Sequence, residues 1–128
     1  MAINFIRSAA VYLIVGTLLG IYMASSHAFE QRDTHAHANL LGWVSLAISG
    51  IIYQVFPKLA DHILAKIHFW LHNLGLPLTL VGIALIYGGN PPIGEPLAGI
   101  GSSVVSLGFL ALLFNVFRSD ISSSAHEV

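Results

Sequence analysis

The sequence contains no cysteine and has few charged residues. Only 9% of its 128 residues are charged, whereas soluble domains carry about 25%. The absence of cysteine excludes disulfides, thiolate zinc sites and iron–sulfur clusters. Five Lys and Arg residues in all provide no basic patch for phosphate, so nucleic acid is excluded as a partner. We therefore also exclude most classes of soluble cytosolic enzyme.

Apolar segments make up most of the chain, which is 55% hydrophobic with a mean hydropathy of +0.79. A run of about 20 apolar residues is long enough to cross a bilayer as a helix. Four such segments are predicted, with a polar tail at 118–128, and they span 4–26, 35–56, 62–87 and 96–117. Because the connections are short, neighbouring helices should be antiparallel. The sequence predicts a single-domain, all-α integral membrane protein, a four-helix up-down bundle in the lipid bilayer.

Basic residues predict the orientation of the chain. Four of them fall on one side of a four-span chain, namely Arg7, Lys58, Lys66 and Arg118, and only Arg32 falls on the other. Cytoplasmic loops carry the excess of Lys and Arg, so both termini are predicted to be cytoplasmic and residues 29–34 external. The first segment exceeds the apolar core of a typical signal peptide, so we expect it to be a span.

Small residues recur at helical spacing in the first and fourth segments. Gly16 and Gly20 are four apart in the first segment. The fourth has two further pairs, Gly99 with Ser103 and Ser102 with Ser106. Small residues let helix backbones approach closely in lipid, so these positions are predicted to be packing contacts.

Seven histidines outnumber the five Lys and Arg residues. Three of them lie at or beyond helix ends and are assigned no role: His27, His62 and His126. The other four lie within predicted spans, where ionisable residues usually face a partner or a cavity: His35, His37, His68 and His72.

Residues two apart on a helix point about 200° apart, so His35 and His37 cannot chelate one ion. Each imidazole is instead suited to bind a heme iron on its own flank of the helix. His68 and His72 are four apart and share a face. That spacing is typical of a copper or zinc pair, and equally of hydrogen bonds between helices, and both alternatives stay open.

The second and third segments form a hairpin that turns near Lys58. With equal rise on both arms, His72 should lie opposite roughly Ser45, about 12 Å from the depth of His37 at 1.5 Å per residue. This hairpin therefore cannot hold one heme between His37 and His72.

The stretch from His35 to Trp43, His-Ala-His-Ala-Asn-Leu-Leu-Gly-Trp, resembles the tenth helix of subunit I of heme–copper oxidases, most closely the C-type bacterial enzymes. Tyr53 and Phe56-Pro57-Lys58 fit the end of that helix. The segment from His68 to Leu71, with Gly75 following, is similar to the start of the eleventh. The likeness covers the second and third segments only.

The resemblance implies that His35 binds a high-spin heme and His37 a low-spin heme, with the hemes toward the outer side of a bacterial inner membrane. Trp43 is a candidate to border the heme plane. Subunit I has about twelve helices, however, and this chain lacks those that carry the copper ligands and the cross-linked tyrosine. One chain therefore does not hold a complete oxygen-reduction site, and its standing as an oxidoreductase is open.

Subunit I of that family consists of three similar four-helix arcs around a pseudo-threefold axis, which implies that this short relative assembles into a cyclic homotrimer. The leading hypothesis is a b-type cytochrome, with heme b at the interfaces between copies and an unidentified electron partner. It would serve electron transfer or the chemistry of a diatomic gas. Two alternatives remain. One is a copper- or zinc-binding protein or oxidase assembly factor, with the metal on His68 and His72 or on His35 and His37 of the oligomer, and the other is a structural membrane subunit without cofactor.

Overall fold

The computed structural model describes residues 1–119, and these fold into helices joined by short turns. Four helical stretches are long and apolar enough to cross a membrane: Ala2–Ser26, Arg32–Val55, Ile63–Tyr87 and Pro91–Arg118. The prediction of an all-α chain with four helices long and apolar enough to cross a membrane is confirmed for the described residues. Residues 120–128, most of the predicted polar tail, lie outside the described residues.

The chain forms α1 (Ala2–Ser26), α2 (Arg32–His37), a π-helical segment (Ala38–Val44), α3 (Ser45–Val55), α4 (Pro57–Ala60), α5 (Ile63–Tyr87) and α6 (Pro91–Arg118). α2, the π-segment and α3 together make the second span. The predicted loop at 57–61 contains the single turn α4, which starts at a proline. Proline suits a first helical position because its missing N–H has no partner there in any helix.

Three helices begin earlier than predicted, the first of them α1, which starts at Ala2 rather than at residue 4. The second span starts at Arg32 rather than at residue 35, and α6 starts at Pro91 rather than at residue 96. Pro91 and Pro92 occupy the first two helical positions, where proline is tolerated. The polar residues 32–34 and the prolines 91–92 both resemble a loop in the sequence, although neither polarity nor proline prevents a first helical turn.

Neighbouring helices are antiparallel, as predicted. α1 runs along the second span, where Gly42 packs against Tyr12 and Gly50 packs against Phe5 and Ile6. Just before the second span, Gln31 donates a hydrogen bond to the carbonyl of Ala84 in α5 at 3.1 Å. The second span and α5 therefore form the hairpin expected from the sequence.

α5 and α6 approach closely along a seam of glycines. These occur seven residues apart on each helix: Gly75 and Gly82 on α5, and Gly94, Gly101 and Gly108 on α6. A Cβ on Gly75 would lie 2.7 Å from the carbonyl oxygen of Gly101, and a Cβ on Gly94 would lie 2.6 Å from that of Gly82. The backbones are in contact, and a repeat of seven residues keeps the seam aligned along two antiparallel helices.

The small-residue pairs predicted for the fourth segment lie away from this seam. A Cβ on Gly99 would meet no atom within 4 Å, and Ser103 and Ser106 are exposed, with their hydroxyls bonded to the carbonyls of Gly99 and Ser102 in their own helix. Within the chain, these positions are not packing contacts between helices. The packing face is the one whose glycines recur every seven residues rather than every four.

We expect Gly101→Ala to destabilise the protein. The added methyl group would lie 2.7 Å from both the carbonyl oxygen of Gly75 and the hydroxyl oxygen of Thr79, and overpacking of this kind costs about 1–3 kcal/mol. Gly99→Ala is the matched control, since it makes the same change two residues away in open space and gains up to about 1 kcal/mol of helix propensity. Unfolding by SDS in detergent micelles measures both. Equal stability of the two variants would contradict the seam.

Candidate functional site

The four histidines of the spans form two separate sites. His35 and His37 lie in α2, near the start of the second span, and are half-buried. His68 and His72 lie in α5 and are fully buried, each with 0% exposure. The first pair therefore remains accessible to a ligand, and the second pair is part of the protein core.

The His35 ring lies in the interface between α1 and α2. Its Nδ1 donates a hydrogen bond to the carbonyl oxygen of Gly16 at 2.8 Å. Gly20 leaves room for the ring, because a Cβ on Gly20 would lie 3.0 Å from the Cε1 of His35. The imidazole is thus held by the backbone of the neighbouring helix.

Asn39 occupies the space beside the other glycine of this pair. A Cβ on Gly16 would lie 2.6 Å from its Oδ1, and its Nδ2 donates to the carbonyl of His35 at 2.9 Å. The two glycines are thus packing contacts, as predicted, but they receive polar side chains. The sequence contains a signal for this pairing of glycines with polar side chains, since Gly16 and Gly20 have the same four-residue spacing as His35 and Asn39. Asn39 lies within the motif from His35 to Trp43, but the motif itself predicts no role for it.

His37 is fixed by its own helix, whose first turn is joined to the C-terminal end of α5. Its Nδ1 donates to the carbonyl oxygen of Asp33 at 2.8 Å. The side chain of Asp33 hydrogen-bonds to Tyr87, and Gln31 bonds to α5 as described above. The first turn of the second span is therefore anchored at several points.

In His35 and His37 the Nδ1 atom is the hydrogen-bond donor, because its partner is a backbone carbonyl, which can only accept. The neutral ring then carries a bare lone pair on Nε2. Among residues 1–119, the Nε2 atoms of His35 and His37 have no hydrogen-bonding partner. An Nδ1–H bound to a carbonyl is the usual second-shell arrangement of a metal-ligating histidine, because it fixes the tautomer and the ring orientation. Both imidazoles meet this requirement.

The second site is a chain of hydrogen bonds that crosses the centre of the protein. The Tyr53 hydroxyl lies 3.0 Å from His68 Nδ1, His68 Nε2 lies 3.5 Å from His72 Nδ1, and His72 Nε2 lies 2.9 Å from the carbonyl oxygen of Leu41. Leu41 is one helical turn from Ser45, the residue expected opposite His72. The register of the predicted hairpin is therefore correct to within a turn.

The direction of every bond in this chain follows from its last acceptor. Because the Leu41 carbonyl only accepts, His72 carries its proton on Nε2 and accepts on Nδ1. His68 then donates from Nε2 and accepts on Nδ1, so the Tyr53 hydroxyl is a donor. One carbonyl thus determines both tautomers, provided that the rings are neutral.

Aromatic rings and an amide enclose the chain. The rings of Phe5 and His68 are 4.9 Å apart, and those of Phe109 and His72 are 5.0 Å apart with their planes at 80°. Asn115, which is fully buried, donates from Nδ2 to the carbonyl of Leu59 at 2.9 Å. In residues 1–119, every buried side-chain nitrogen and oxygen has a partner. This polar network is therefore fully satisfied.

The geometry at His68 and His72 is that of hydrogen bonding between helices, one of the two alternatives derived from their spacing. Each of the four ring nitrogens already has a partner, so a metal ion bound by both rings would have to displace at least one of these bonds. No group of three or more His, Cys, Asp or Glu side chains in the described part of the chain is placed to hold a metal ion.

The two tryptophans lie in different surroundings. Trp43, the candidate neighbour of a heme plane, lies in the π-segment, half-buried against the core. Trp70 is 58% exposed on α5. Neither ring lies in the hydrogen-bonded chain described above.

The comparisons with known proteins found no protein-family model that matches the chain and no solved structure that matches it significantly.

We expect Tyr53→Phe to destabilise the fold by about 1–3 kcal/mol, because it leaves the buried Nδ1 of His68 without a donor. Tyr22→Phe is the matched control, since Tyr22 is 54% exposed and its hydroxyl lies outside the core. The free energy of unfolding in SDS-containing micelles compares the two variants. A Tyr53→Phe variant as stable as Tyr22→Phe would contradict a stabilising hydrogen bond between Tyr53 and His68.

Proposed function

We propose that the protein is a membrane b-type cytochrome that binds heme b through His35 and His37. The observation that carries the proposal is the state of these two rings. Each is held at Nδ1 by a backbone carbonyl at 2.8 Å, and each has an Nε2 without a protein partner. Both Nε2 lone pairs are therefore accessible and free to bind an iron.

The likeness of the segment from His35 to Trp43 to the tenth helix of heme–copper oxidases supports the same assignment. In that reading His35 and His37 would hold the heme iron, and Trp43 would border the heme. His68 and His72 have no part in binding iron, because their nitrogens serve the internal hydrogen-bonded chain.

The number of ligands available to one heme depends on assembly. His35 and His37 point to different flanks of one helix, so one chain offers a single ligand to each heme. In a closed ring with head-to-tail contacts, every interface receives His35 from one copy and His37 from the next. We propose a homotrimer with one heme per chain, in which each iron has two histidine ligands.

This chain's own residues hold and orient the ligands. The carbonyls of Gly16 and Asp33 set the tautomer and the plane of each imidazole, and hydrogen bonds to carbonyls raise the basicity of Nε2. Lipid and apolar side chains surround the spans and exclude water. Heme, when bound with two histidine ligands, supplies one-electron transfer at an iron that has no free position.

By the positive-inside argument, the termini lie in the cytoplasm and the first turn of α2 at the outer side. His35 and His37 are then near the outer surface of a bacterial inner membrane, where a partner protein or a quinone-sized carrier can exchange electrons with the site.

Heme binding is tested by replacing each ligand with asparagine. Asparagine Nδ2 lies near the position of histidine Nδ1, so it keeps the donor to Gly16 or Asp33 and removes only Nε2. Purified in detergent, the wild-type protein should contain one heme b per chain by pyridine hemochrome assay. His35→Asn and His37→Asn should each lower heme affinity at least about tenfold.

His27→Asn is the control, because His27 ends α1 at a φ of 55°, a conformation that asparagine tolerates. It should keep its full heme content. A colourless wild-type protein, one heme per two chains, or full heme in the His37→Asn variant would overturn the assignment.

Carbon monoxide distinguishes electron transfer from gas chemistry. With two histidine ligands on each iron, we expect the absorption spectrum of the reduced protein to change little when carbon monoxide is added, and native mass spectrometry to give the mass of three chains. A strong spectral change would mean an open iron position and would replace electron transfer by binding of a diatomic gas.

A further inference from the structure

The second span changes its hydrogen-bonding pattern directly after His37. From Ala38 to Val44 the backbone is π-helical, and α-helix resumes at Ser45. The amide of Ser45 bonds to the carbonyl of Leu40, five residues earlier. π-helical turns are rare in proteins, and many of those that occur lie at functional sites.

Such a change leaves one carbonyl without an amide donor. In a π-helix each amide bonds to the carbonyl five residues earlier, and in an α-helix to the carbonyl four residues earlier. Where the π-helix ends, two consecutive amides therefore bond to carbonyls that are two residues apart, and the carbonyl between them has no amide donor. Since Ser45 pairs with Leu40, the skipped carbonyl is that of Leu41. Within a membrane span no water replaces the missing donor.

His72 supplies that donor. Its Nε2 lies 2.9 Å from the carbonyl oxygen of Leu41, and its ring is fully buried, with Phe109 packed edge-on against it. The nitrogen belongs to α5, 31 residues farther along the chain, so a contact between helices stabilises a local backbone irregularity. The His72 ring is itself held by its hydrogen bond to His68, which in turn is bonded to Tyr53.

The π-segment sets the rotation of His35 and His37 relative to the rest of the second span. One residue corresponds to about 100° around an α-helix, so the extra residue of a wide turn rotates everything before it by about that angle. Tyr53 fixes the far end of the span on α5. Without the wide turn, His35 would therefore point away from α1 and lose the carbonyl of Gly16.

We propose that His72 is a positioning residue for His35 and His37, acting through the carbonyl of Leu41 and the π-segment. It does not bind the ligand of those histidines, and it determines which way their imidazoles face. The inference rests on the proposed function for its heme readout, whereas its two other readouts need no heme.

The test compares His72→Leu with His72→Gln in the full chain in detergent. Leucine removes the donor. Glutamine places an amide Nε2–H near the position of the imidazole Nε2–H and also offers an acceptor to His68. Thr79→Val is the control for loss of a buried polar group on α5, because the Thr79 hydroxyl bonds only within its own helix, to the carbonyl of Gly75.

The first readout is amide hydrogen exchange of the heme-free protein in peptides that cover 38–46. We expect exchange about tenfold faster in His72→Leu, near wild-type exchange in His72→Gln, and no change at these amides in Thr79→Val. The second readout is the ¹⁵N signal of His35 Nδ1, which reports its hydrogen bond to Gly16. This signal should shift in the leucine variant and return in the glutamine variant.

The third readout is the electron paramagnetic resonance spectrum of the oxidised, heme-loaded protein, whose g values report the orientation of the axial imidazoles. We expect altered g values in His72→Leu and wild-type values in His72→Gln. A folded His72→Leu variant with wild-type exchange and an unshifted His35 signal would overturn the positioning role. Faster exchange without any change at His35 would overturn it as well.

The two proposals fail in different ways. Wild-type protein that binds no heme overturns the proposed function, while the exchange and ¹⁵N measurements still decide the role of His72. If leucine unfolds the protein, the glutamine variant decides the question. A folded glutamine variant with a shifted His35 signal would overturn the role, and one with an unchanged signal would support it.

Discussion

A backbone or side-chain polar group inside an apolar span has to find its partner within the protein, because the hydrocarbon offers none. The bond from His72 to the carbonyl of Leu41 shows this constraint most directly. It satisfies a carbonyl that the wide turn of the second span leaves unpaired. It also determines the tautomer of His72, then that of His68, and then the direction of the Tyr53 hydroxyl. A single acceptor thus orders a buried chain that links the second span to α5.

Close backbone contact is the second feature on which the fold depends. Apolar burial does little to bring helices together in lipid, so packing contacts between backbones have to do so. Glycines supply them on both sides of the central hairpin. On α1 they make room for His35 and Asn39, and between α5 and α6 they form a seam with a seven-residue repeat.

The contrast between the two histidine pairs is the basis of the functional argument. His68 and His72 use every ring nitrogen inside the protein and are shielded by Phe5 and Phe109. His35 and His37 use only Nδ1 for hydrogen bonds within the protein, so that Nε2 is available to a ligand. His68 and His72 therefore organise the core, whereas His35 and His37 keep an accessible Nε2 that a ligand can bind. His72 connects the two pairs, since it stabilises the wide turn that directly follows His35 and His37 in the second span.

The sequence alone determined that the chain is helical and crosses a membrane, because the length and polarity of each segment are local properties. It also determined that His35 and His37 cannot share one ion, since that follows from helical geometry. It predicted the hairpin register to within a turn, because short connections leave little freedom. It placed the starts of the second span and of α6 several residues too late, at 35 and 96, because a polar first turn and a pair of prolines both resemble a loop.

Only the tertiary structure decided which small residues pack, which nitrogens are occupied and where the helix widens. The pair Gly99 and Ser103 has favourable spacing but faces open space, whereas Gly101 faces α5. The π-helical turn has no clear signal in the sequence, since the carbonyl that it leaves unpaired receives its donor from another helix. Contacts between residues 31 positions apart depend on how two helices meet, and no local pattern contains that information.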